Sequence, residues 1–539
     1  MFALQDVPGK GKGLVAVLPI ARGTRILSER PLVTSPQNGT GLEKIKASIG
    51  QQVNSLSEAQ REAFLSLHNI HPYSSFDDKC LGIFRTNAHP VENGGIDGGI
   101  FLETSRINHA CDNNAQKYWN TTIKRHTIHA IREIAVGEEI TITYLGALRS
   151  RRRRQETLRA KFGFTCLCRL CILPERESKK VDNRLESIFL LDEYLGSHGV
   201  LWIWAKPLKM VRMIDRQVSL YNEHGPNDIG LPRAFLDVAQ VLIAHDDLAR
   251  ARVFIERALS GWEAIEGKDS PTVNEYRHLL DNPSSHQLHG MSSDWASGVH
   301  QVPRGLAPDE FEDWLWRRDK SRGEGQYADL RHRTFFPALD ELPEDRELDL
   351  DFYGGSDGRR PSRHWCFLAE ISDSLRFFRL QMEVKDIKGR KLPVFFHTES
   401  RGLELGASQV EVGHTVAILY AHGHGFMDGQ FGIRHETPER IQIFPCSLQH
   451  LLGLSDRVQE FSGHSDSIRV CHGCGKKGTE LQKCSRCSFF WYCDKACQTA
   501  GWNKKDHKSD CKLLKNPDLQ GLFSLQWGQF NKYENFPLL

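Results

Sequence analysis

The chain has 539 residues, of which 40% are hydrophobic and 26% are charged, and its formal net charge is +2 at pH 7. This length is too great for a single core and predicts several domains, while the balanced composition excludes a wholly disordered chain. The small net charge gives the molecule as a whole no strong attraction to nucleic acid or membranes. No apolar signal segment follows Met1, and no run of about 18 apolar residues occurs. We therefore expect an intracellular protein, in the nucleus, the cytoplasm or both, with no membrane span.

The predicted elements change along the chain. Alternating apolar and polar residues with glycine turns predict β-hairpins over residues 1–34, and apolar residues at helical spacing predict a helical insert at about 35–86. Strand-like runs return at 96–103, 123–131 and 138–144. We expect a multidomain α+β fold with these segments: a first domain over 1–175, a helical repeat-like region over 180–282, a connector over 283–362, a small all-β domain over 363–447, a cysteine-rich module over 468–511 and a tail over 512–539.

The 14 cysteines are clustered rather than spread evenly. One group contains Cys166, Cys168 and Cys171, and a second group lies between residues 471 and 511. Thiols at two-residue gaps in a reducing compartment are metal ligands more often than disulfide partners. Three cysteines far from both groups are interpreted as ordinary packed thiols: Cys80, Cys366 and Cys446.

The C-terminal group has the spacing of a double zinc site. Eight thiolate and imidazole ligands fill two tetrahedral sites completely, so these zinc ions are structural. With Gln498 and Trp502 between the sixth and seventh ligands, the pattern resembles the MYND finger, and these two residues are candidates to bind a proline-rich peptide. The resemblance implies one zinc ion on Cys471, Cys474, Cys493 and Cys497, and another on Cys484, Cys487, His507 and Cys511.

Three segments in the N-terminal third carry residues suited to chemistry. They are a glycine-rich turn at 9–14, a polar stretch at 106–115, and a turn at 137–140 that feeds a β-branched strand ending at Tyr144. The glycine turn lacks the strand-then-helix context of a phosphate-binding loop. In this order, and followed by the first cysteine group, the segments resemble a SET domain with a post-SET zinc site over about residues 1–175.

This resemblance implies an S-adenosylmethionine site and a catalytic tyrosine. Tyr144 would present its hydroxyl to the methyl group and the target amine, and Phe164 would stack on the adenine. Asn108 and His109 would hydrogen-bond the cofactor through backbone and side chain, and the glycine turn would let the backbone approach it closely. The implied cofactor residues are Gly11, Lys12, Gly13, Leu14, Asn87, Ser105, Asn108, His109, Tyr144 and Phe164.

The post-SET cysteines leave a tetrahedral zinc ion one ligand short, and Cys111 is the natural fourth ligand. Together with the finger, the chain is expected to hold three zinc ions. Two positions depart from the family pattern, since Ala110 stands where the family usually has Ser and Asn113 where it often has Pro. Neither is expected to touch the methyl group.

The implied function is methyl transfer to the side-chain amine of a lysine in a protein substrate, a histone or another protein. A lysine amine of pKa about 10.4 costs roughly 4–5 kcal/mol to deprotonate at pH 7. An apolar channel and the nearby sulfonium lower this cost, so Glu138 and Glu139 are assigned structural roles rather than a role as general base. The alternative is a scaffold of weak activity whose finger binds proline-rich peptides.

Two further features have competing interpretations. The basic run at 149–154 is interpreted as a solvated helix, with nuclear localisation or phosphate binding as the alternatives. The β domain is a candidate OB-like barrel, but it lacks a clear stacking platform, so nucleic acid is not an expected partner. The segment order is similar to that of fungal SET-domain proteins, because residues 35–86 contain no cysteine cluster that would interrupt the SET domain.

Overall fold

A computed structural model describes these residues of the chain: 1–35, 41–91, 98–146, 149–225, 228–318, 327–345, 349–354, 360–462 and 468–538. They form two compact units, Met1–Gly305 and Leu306–Leu539. Within the described ranges, no helix combines the length and the apolar character needed to cross a membrane. Parts of the predicted insert (36–40), of the first strand-like run (96–97) and of the predicted connector (319–326, 346–348 and 355–359) lie outside the described residues.

Small sheets build the N-terminal part of the first unit. Its strands are β1 (Phe2–Val7), β2 (Gly11–Ala16), β3 (Arg25–Glu29), β4 (Val33–Thr34), β5 (His89–Pro90), β6 (Gly98–Ile100), β7 (Asn108–His109), β8 (Ala115–Asn120), β9 (Arg125–Ala130) and β10 (Thr141–Ile142). Strands β1 and β2 form an antiparallel hairpin, and β9 pairs with both β3 and β8. β7 and β10 pair in parallel although about thirty residues separate them.

Helices provide the rest of the first unit. They are α1 (Leu42–Asn54), α2 (Glu58–Leu65), α3 (Phe76–Asn87), α4 (Arg151–Phe162), α5 (Glu175–Ala205), α6 (Pro207–His224), α7 (Leu231–Ala244), α8 (Leu248–Glu266), α9 (Pro271–Tyr276) and α10 (His278–Asp281). Helices α1 to α3 form the insert around a core of their own, which contains Cys80. Helix α2 begins with a capping box in which Ser57 and Gln60 satisfy each other's backbone N–H groups. Helix α5 is kinked at Gly199, where φ is +45°.

The helical region packs directly on the β-structure of the first unit. Helix α8 contacts β8 and β9. A Cβ atom on Gly23 would lie 3.5 Å from Cα of Ala264, so the turn after β2 approaches α8 closely. Arg25 on β3 forms an ion pair with Asp269, just beyond α8. The predicted first domain and the predicted helical region both lie within the unit Met1–Gly305, and the boundary between them stays a prediction.

A seven-stranded sheet dominates the second unit. The unit contains α11 (Pro308–Leu315), β11 (Tyr353–Gly354), β12 (Arg360–Pro361), β13 (Cys366–Arg376), β14 (Leu380–Asp386), β15 (Lys391–Phe396), β16 (Thr415–Leu419), β17 (Gly423–Gly425), β18 (Phe431–His435), β19 (Ile441–Phe444) and α12 (Leu448–Ser462). The strand order is β17-β18-β15-β14-β13-β16-β19, with only β15 and β18 parallel among these pairs. Because β17 and β19 are edge strands among the described residues, the sheet is open and differs from the OB-like barrel considered above.

The cysteine-rich module follows the sheet. Its elements are β20 (Arg469–Val470), β21 (Lys477–Gly478), β22 (Gln482–Lys483), β23 (Trp491–Tyr492), α13 (Lys495–Lys504), α14 (His507–Leu513) and α15 (Pro517–Ser524). The strands form two short antiparallel pairs, β20 with β21 and β22 with β23. Asp494 caps α13 by accepting a hydrogen bond from the N–H of Cys497, which fixes the start of the helix.

One hydrophobic core in the second unit contains residues of the predicted connector and of the predicted tail. Leu330 and Phe336 from the predicted connector are buried in it, and so are Leu519 and Phe523 from the predicted tail. They pack in the same cluster as Trp365 of the sheet and as cysteines of the zinc module. The described part of the connector beyond residue 327 and most of the tail are therefore integral parts of this unit. The Ser, Gly and Pro content of the connector predicted a loosely ordered segment, although a few apolar residues in it are buried.

Candidate active site and metal centres

The pairing of β7 with β10 brings the polar stretch at 106–115 to the strand that ends at Tyr144. Asn108 pairs with Thr141, and His109 pairs with Ile142. Asn114 fastens the two segments, because its side-chain oxygen accepts a hydrogen bond from the N–H of Thr141 at 2.8 Å and its amide donates to the carbonyl of Glu139 at 2.8 Å. Asn114 belongs to the polar stretch at 106–115, but the sequence did not predict this structural role for it.

Tyr144 is held at both ends. Its backbone N–H donates to Nδ1 of His109 at 3.0 Å, and its hydroxyl donates to the carbonyl of Ile107 at 2.7 Å. Burial raises the pKa of Tyr144 above its ordinary value, so the hydroxyl keeps its proton. The hydroxyl proton is donated to the carbonyl of Ile107, and the oxygen retains lone pairs that can accept a hydrogen bond from a substrate amine.

His109 connects this tyrosine to a cysteine cluster. Its Nε2 lies 3.2 Å from Sγ of Cys111, while Nδ1 accepts from Tyr144. Since Nδ1 accepts, the ring proton is on Nε2 and points at the sulfur. Burial lowers the pKa of His109 to about 4, so the ring is neutral at physiological pH. Both ring nitrogens of His109 are therefore occupied by protein atoms, and the contact of His109 with the cofactor stays a prediction.

Aromatic rings surround Tyr144. The ring centroid of Tyr144 lies 5.0 Å from that of Phe162 and 6.4 Å from that of Phe164, the second in an edge-on arrangement. Phe164 also lies 6.1 Å from the ring of His109. These faces form an apolar surround that disfavours a charged ammonium group. Phe162, the last residue of α4, was not identified from the sequence.

The glycine turn approaches the same site from β2. The amide of Asn108 donates to the carbonyl of Lys12 at 3.1 Å and to Oε1 of Glu139 at 2.8 Å. A Cβ atom on Gly13 would lie 2.8 Å from Nδ2 of Asn108 and 2.8 Å from Oε1 of Glu139, so a larger residue would have to displace these side chains. Gly11 adopts φ +75°, with open space beside it. The structure thus brings Gly11, Gly13, Asn108 and Tyr144 into one region, and the cofactor contacts themselves remain predictions.

Four other predicted cofactor residues have structural tasks. Leu14 is fully buried in the core, and the ammonium of Lys12 forms an exposed ion pair with Asp6 at 3.1 Å. Asn87 donates through its amide to the carbonyls of His68 and Ile83, each at 2.7 Å. The hydroxyl of Ser105 donates to the carbonyl of Asn87 at 3.3 Å. Asn87 and Ser105 are therefore neighbours of each other, and the Asn87 amide is used to fasten α3.

Glu138 and Glu139 have the structural contacts expected of them. Glu138 accepts from the N–H of Ala135 at 3.0 Å and from Arg132 at 2.6 Å. Glu139 pairs with Lys10 at 2.6 Å in addition to its bond with Asn108. Both carboxylates are committed to the turn before β10, so neither is free to act as a base.

Three groups of thiolate and imidazole side chains could each hold a metal ion. In each group the ligand atoms all lie within 4.8 Å of one another. The groups are Cys111, Cys166, Cys168 and Cys171; Cys471, Cys474, Cys493 and Cys497; and Cys484, Cys487, His507 and Cys511. These are the sets assigned from the sequence.

The donor chemistry and spacing of these groups fit zinc. Sulfur atoms on a tetrahedral zinc ion are about 3.8 Å apart, because each zinc–sulfur bond is about 2.3 Å long. The sulfurs of Cys111 and Cys171 are 3.6 Å apart, and those of Cys474 and Cys493 are also 3.6 Å apart. All four positions of each site are filled by protein atoms, so these are closed structural sites.

The histidine of the third group is oriented by a neighbouring tyrosine. Nε2 of His507 lies 3.5 Å from Sγ of Cys487, and Nδ1 forms a hydrogen bond with the hydroxyl of Tyr492. A partner on the far nitrogen fixes which nitrogen faces the metal. The ring of Trp502 lies edge-on to that of His507, with the ring centroids 5.4 Å apart. Trp502 is half-buried beside this zinc site. Tyr492 was not identified from the sequence.

Comparison with known proteins agrees with this geometry. The SET domain family matches residues 11–145, and the MYND finger family matches residues 471–511. Histone-lysine N-methyltransferase set5 of Schizosaccharomyces pombe is 30% identical over 324 residues, covering 59% of this chain and 94% of that protein. Histone-lysine N-methyltransferase SMYD3 of Homo sapiens is 31% identical over 285 residues, covering 50% of this chain and 60% of that protein.

A third relative, histone-lysine N-methyltransferase SET5 of Scheffersomyces stipitis, is 33% identical over 108 residues, which are 20% of this chain and 21% of that protein. The two family matches fall on the two regions that hold the tyrosine site and the paired zinc sites. The chain belongs to the SET-domain protein-lysine methyltransferases, enzymes that use S-adenosylmethionine as the methyl donor, and it carries a MYND finger in its C-terminal unit.

Proposed function

We propose that this chain methylates the side-chain amine of a lysine in a protein substrate and that Tyr144 is its catalytic residue. The single observation that carries the proposal is the pair of hydrogen bonds made by Tyr144, to Nδ1 of His109 and to the carbonyl of Ile107. They fix the phenol oxygen in one position with its acceptor lone pairs available. Methyl transfer depends mainly on in-line positioning of the amine, and a fixed acceptor supplies that.

The chain's own residues also favour the reactive form of the amine. A lysine ammonium at neutral pH must lose a proton, at a cost of roughly 4–5 kcal/mol. The rings of Phe162 and Phe164 disfavour the charged form, and Tyr144 offers an acceptor for one N–H of the neutral amine. The proton leaves to solvent before transfer, since Glu138 and Glu139 are already engaged. S-adenosylmethionine supplies the methyl group.

For the cofactor, we propose contacts through the backbone of the Gly11–Gly13 turn and of Asn108 and through the ring of Phe164. The space beside Gly11 and the tight approach of Gly13 to Asn108 support backbone contact in this region. The post-SET zinc site supports the position of Phe164, which follows α4 and lies only two residues before Cys166.

For the substrate, histones are the first candidates, because the three relatives described above are named histone-lysine N-methyltransferases. Another relative, from Gallus gallus, is named only as an N-lysine methyltransferase, which keeps non-histone proteins as candidates. A histone substrate would require residence in the nucleus, and a non-histone substrate would be compatible with the cytoplasm.

For the finger, we propose a protein-binding role separate from the chemistry. Gln498 and Trp502 lie four residues apart on α13 and are both half-buried, so they share a partly accessible face. A proline-rich segment is the proposed ligand, because a partly accessible aromatic ring suits its extended, rigid backbone. A scaffold that only binds such peptides is the competing function, and it requires no turnover.

Transfer of radiolabelled methyl groups tests the proposal. The full chain would be incubated with labelled S-adenosylmethionine and, separately, with histone octamers and with a histone-free protein extract. Label that amino-acid analysis recovers as methyllysine supports the proposal, and the substrate that receives it decides between the two classes. Binding of S-adenosylhomocysteine without label transfer to either would support the scaffold.

A further inference from the structure

A basic cavity lies beside Tyr144 in the first unit. It has a volume of about 230 Å³ and lies between the segment that follows Tyr144 and helix α4. Four cationic side chains and one carboxylate are among its lining groups: Arg149, Arg153, Arg154, Lys161 and Glu156. The sequence predicted a solvated helix for this basic run, and Arg152 and Arg153 are indeed exposed on α4, whereas Arg154 is buried.

Arg154 is the most unusual of these residues. Only 1% of its side chain is exposed. One of its terminal nitrogens donates to the carbonyl of Arg149 and lies 3.6 Å from Oδ1 of Asp182, an oxygen that also accepts from the N–H of Arg151 at 2.8 Å. Among the residues that the structure describes, the other terminal nitrogen and Nε have no hydrogen-bond partner. Arg154 therefore keeps a positive charge that few acceptors compensate, beside a cavity lined by three further cationic side chains.

Two neighbouring features add to this positive charge. Arg149 has a buried terminal nitrogen with no partner, and its guanidinium lies flat over the ring of Phe189 at 3.2 Å, which fixes its orientation. Helix α4 begins at Arg151 and contributes Arg153, Arg154 and Lys161 to the lining of the cavity. A water molecule occupies about 30 Å³ of liquid volume, so the cavity has room for a phosphate or carboxylate group with a few waters.

We propose that this cavity binds a phosphate or carboxylate group carried by the protein substrate near its target lysine. The inference rests on the proposed lysine methylation, since Tyr144 itself lines the cavity. An anionic side chain held there would fix the register of the substrate relative to Tyr144. The enzyme would then prefer lysines that have an acidic or phosphorylated residue at a fixed offset.

Anion binding is tested first, without reference to methylation. O-phospho-L-serine and inorganic phosphate would be titrated into the full chain at constant ionic strength, with and without saturating S-adenosylhomocysteine, and followed by phosphorus NMR. We expect both probes to bind in the presence of S-adenosylhomocysteine and to bind about tenfold more weakly to Arg153→Gln. Arg152→Gln is the matched control, because Arg152 is 82% exposed on the same helix and does not line the cavity.

Arg154→Met provides a second variant, accepted only if its circular dichroism matches the parent. Loss of phosphate binding in Arg154→Met with retention in Arg152→Gln supports the site. Three outcomes overturn it: no binding to the parent chain, equal weakening by Arg152→Gln and Arg153→Gln, or competition by S-adenosylhomocysteine, which would assign the cavity to the cofactor.

Methylation of lysine peptide libraries then distinguishes the source of the anion. Libraries that carry serine, phosphoserine or glutamate at each position around one lysine would be compared. We expect a rate advantage of about tenfold for an anion at one offset, reduced toward unity in Arg153→Gln. Phosphate binding without any such preference assigns the site to a free anion and contradicts the substrate role. Phosphate binding with no methylation of any library keeps the site but contradicts the proposed function.

Discussion

Nδ1 of His109 accepts a hydrogen bond from the backbone N–H of Tyr144 at 3.0 Å. The same ring directs its other nitrogen at Sγ of Cys111, a predicted zinc ligand 3.2 Å away. A structural zinc site and a catalytic tyrosine are thus joined through one neutral imidazole. Because the ring has no freedom to turn without losing a bond, disturbance of the metal site is expected to reach Tyr144.

Replacement of Tyr144 by phenylalanine tests the catalytic assignment. The change removes only the hydroxyl, so we expect methyl transfer to fall by about a hundredfold or more, the cost of losing one positioned polar group in an active site. Affinity for S-adenosylhomocysteine, measured by calorimetry, should stay within about threefold of the parent. Tyr73→Phe, on an exposed tyrosine of the same unit, is the control. Parental turnover in Tyr144→Phe would remove Tyr144 from the mechanism.

Metal analysis tests the three ligand groups. Purified chain should contain three zinc ions, and Cys111→Ser should contain two, because a hydroxyl is a poor substitute for a thiolate ligand. The variant should also lose methyl transfer, since His109 then loses its sulfur partner. Cys80→Ser is the matched control: Cys80 is a fully buried cysteine outside the three groups. Three zinc ions in Cys111→Ser would exclude Cys111 as a ligand.

Buried histidines make the stability of the first unit pH-dependent. Burial lowers the pKa of His126 to about 3 and that of His129 to about 4, below the value near 6.5 expected in the unfolded chain. Because these folded-state pKa values are depressed, the neutral rings contribute stability above pH 6.5, and this is lost as the pH falls toward 4. At most, this contribution to the free energy of unfolding is on the order of 5 kcal/mol for His126 and 3 kcal/mol for His129.

Urea unfolding measures this effect. Between pH 7.5 and pH 5.5 the unfolding midpoint of the parent should fall, and His126→Phe, whose new ring can stack on Phe101 as His126 does at 4.7 Å, should show a shallower fall. His68→Gln, at an exposed histidine, controls for the loss of a histidine as such. An unchanged pH dependence in His126→Phe would show that burial of this ring does not govern the acid sensitivity.

The finger is tested with Trp502→Ala. Removal of the exposed part of this ring should weaken binding of a proline-rich peptide by about tenfold or more, as expected for an aromatic anchor. Methylation of a short peptide should be unchanged. The zinc content must stay at the parental value, because the ring also contacts His507. Asn503→Ala, on an exposed neighbour, is the control. Unchanged peptide affinity with intact zinc would restrict Trp502 to packing.

The metal ligands were the most predictable part of this protein. Thiolates at fixed gaps have few other uses, so the spacing alone identified the groups now seen within 4.8 Å of one another. The catalytic region was predicted only through the resemblance of three separated segments to the SET domain. Tyr144 and His109 meet because β7 pairs in parallel with β10. Each of these strands has only two residues, so the local sequence pattern does not predict that they pair.

The hydrogen-bond partners of polar side chains were the least predictable part of this protein. Whether the side chains of His109 and Asn87 face a ligand or their own chain depends on hydrogen bonds with residues far away in the sequence, Tyr144 and His68. The burial of the predicted connector was hard to foresee for a related reason. The segment around Leu330 and Phe336 has the composition of a linker, and its burial is decided by a few apolar side chains that reach a core built elsewhere in the chain.

Because the finger and the sheet share one continuous core in the second unit, the finger is not an independently folded domain. Phe489 and Phe490, beside the zinc ligand Cys487, pack in the same cluster as Leu519 behind the finger and Trp365 of the sheet. A chelator that strips zinc would therefore loosen one wall of a shared interior. We expect the sheet and the finger to unfold in one cooperative transition. The stability of the second unit would then depend on the zinc bound in the finger.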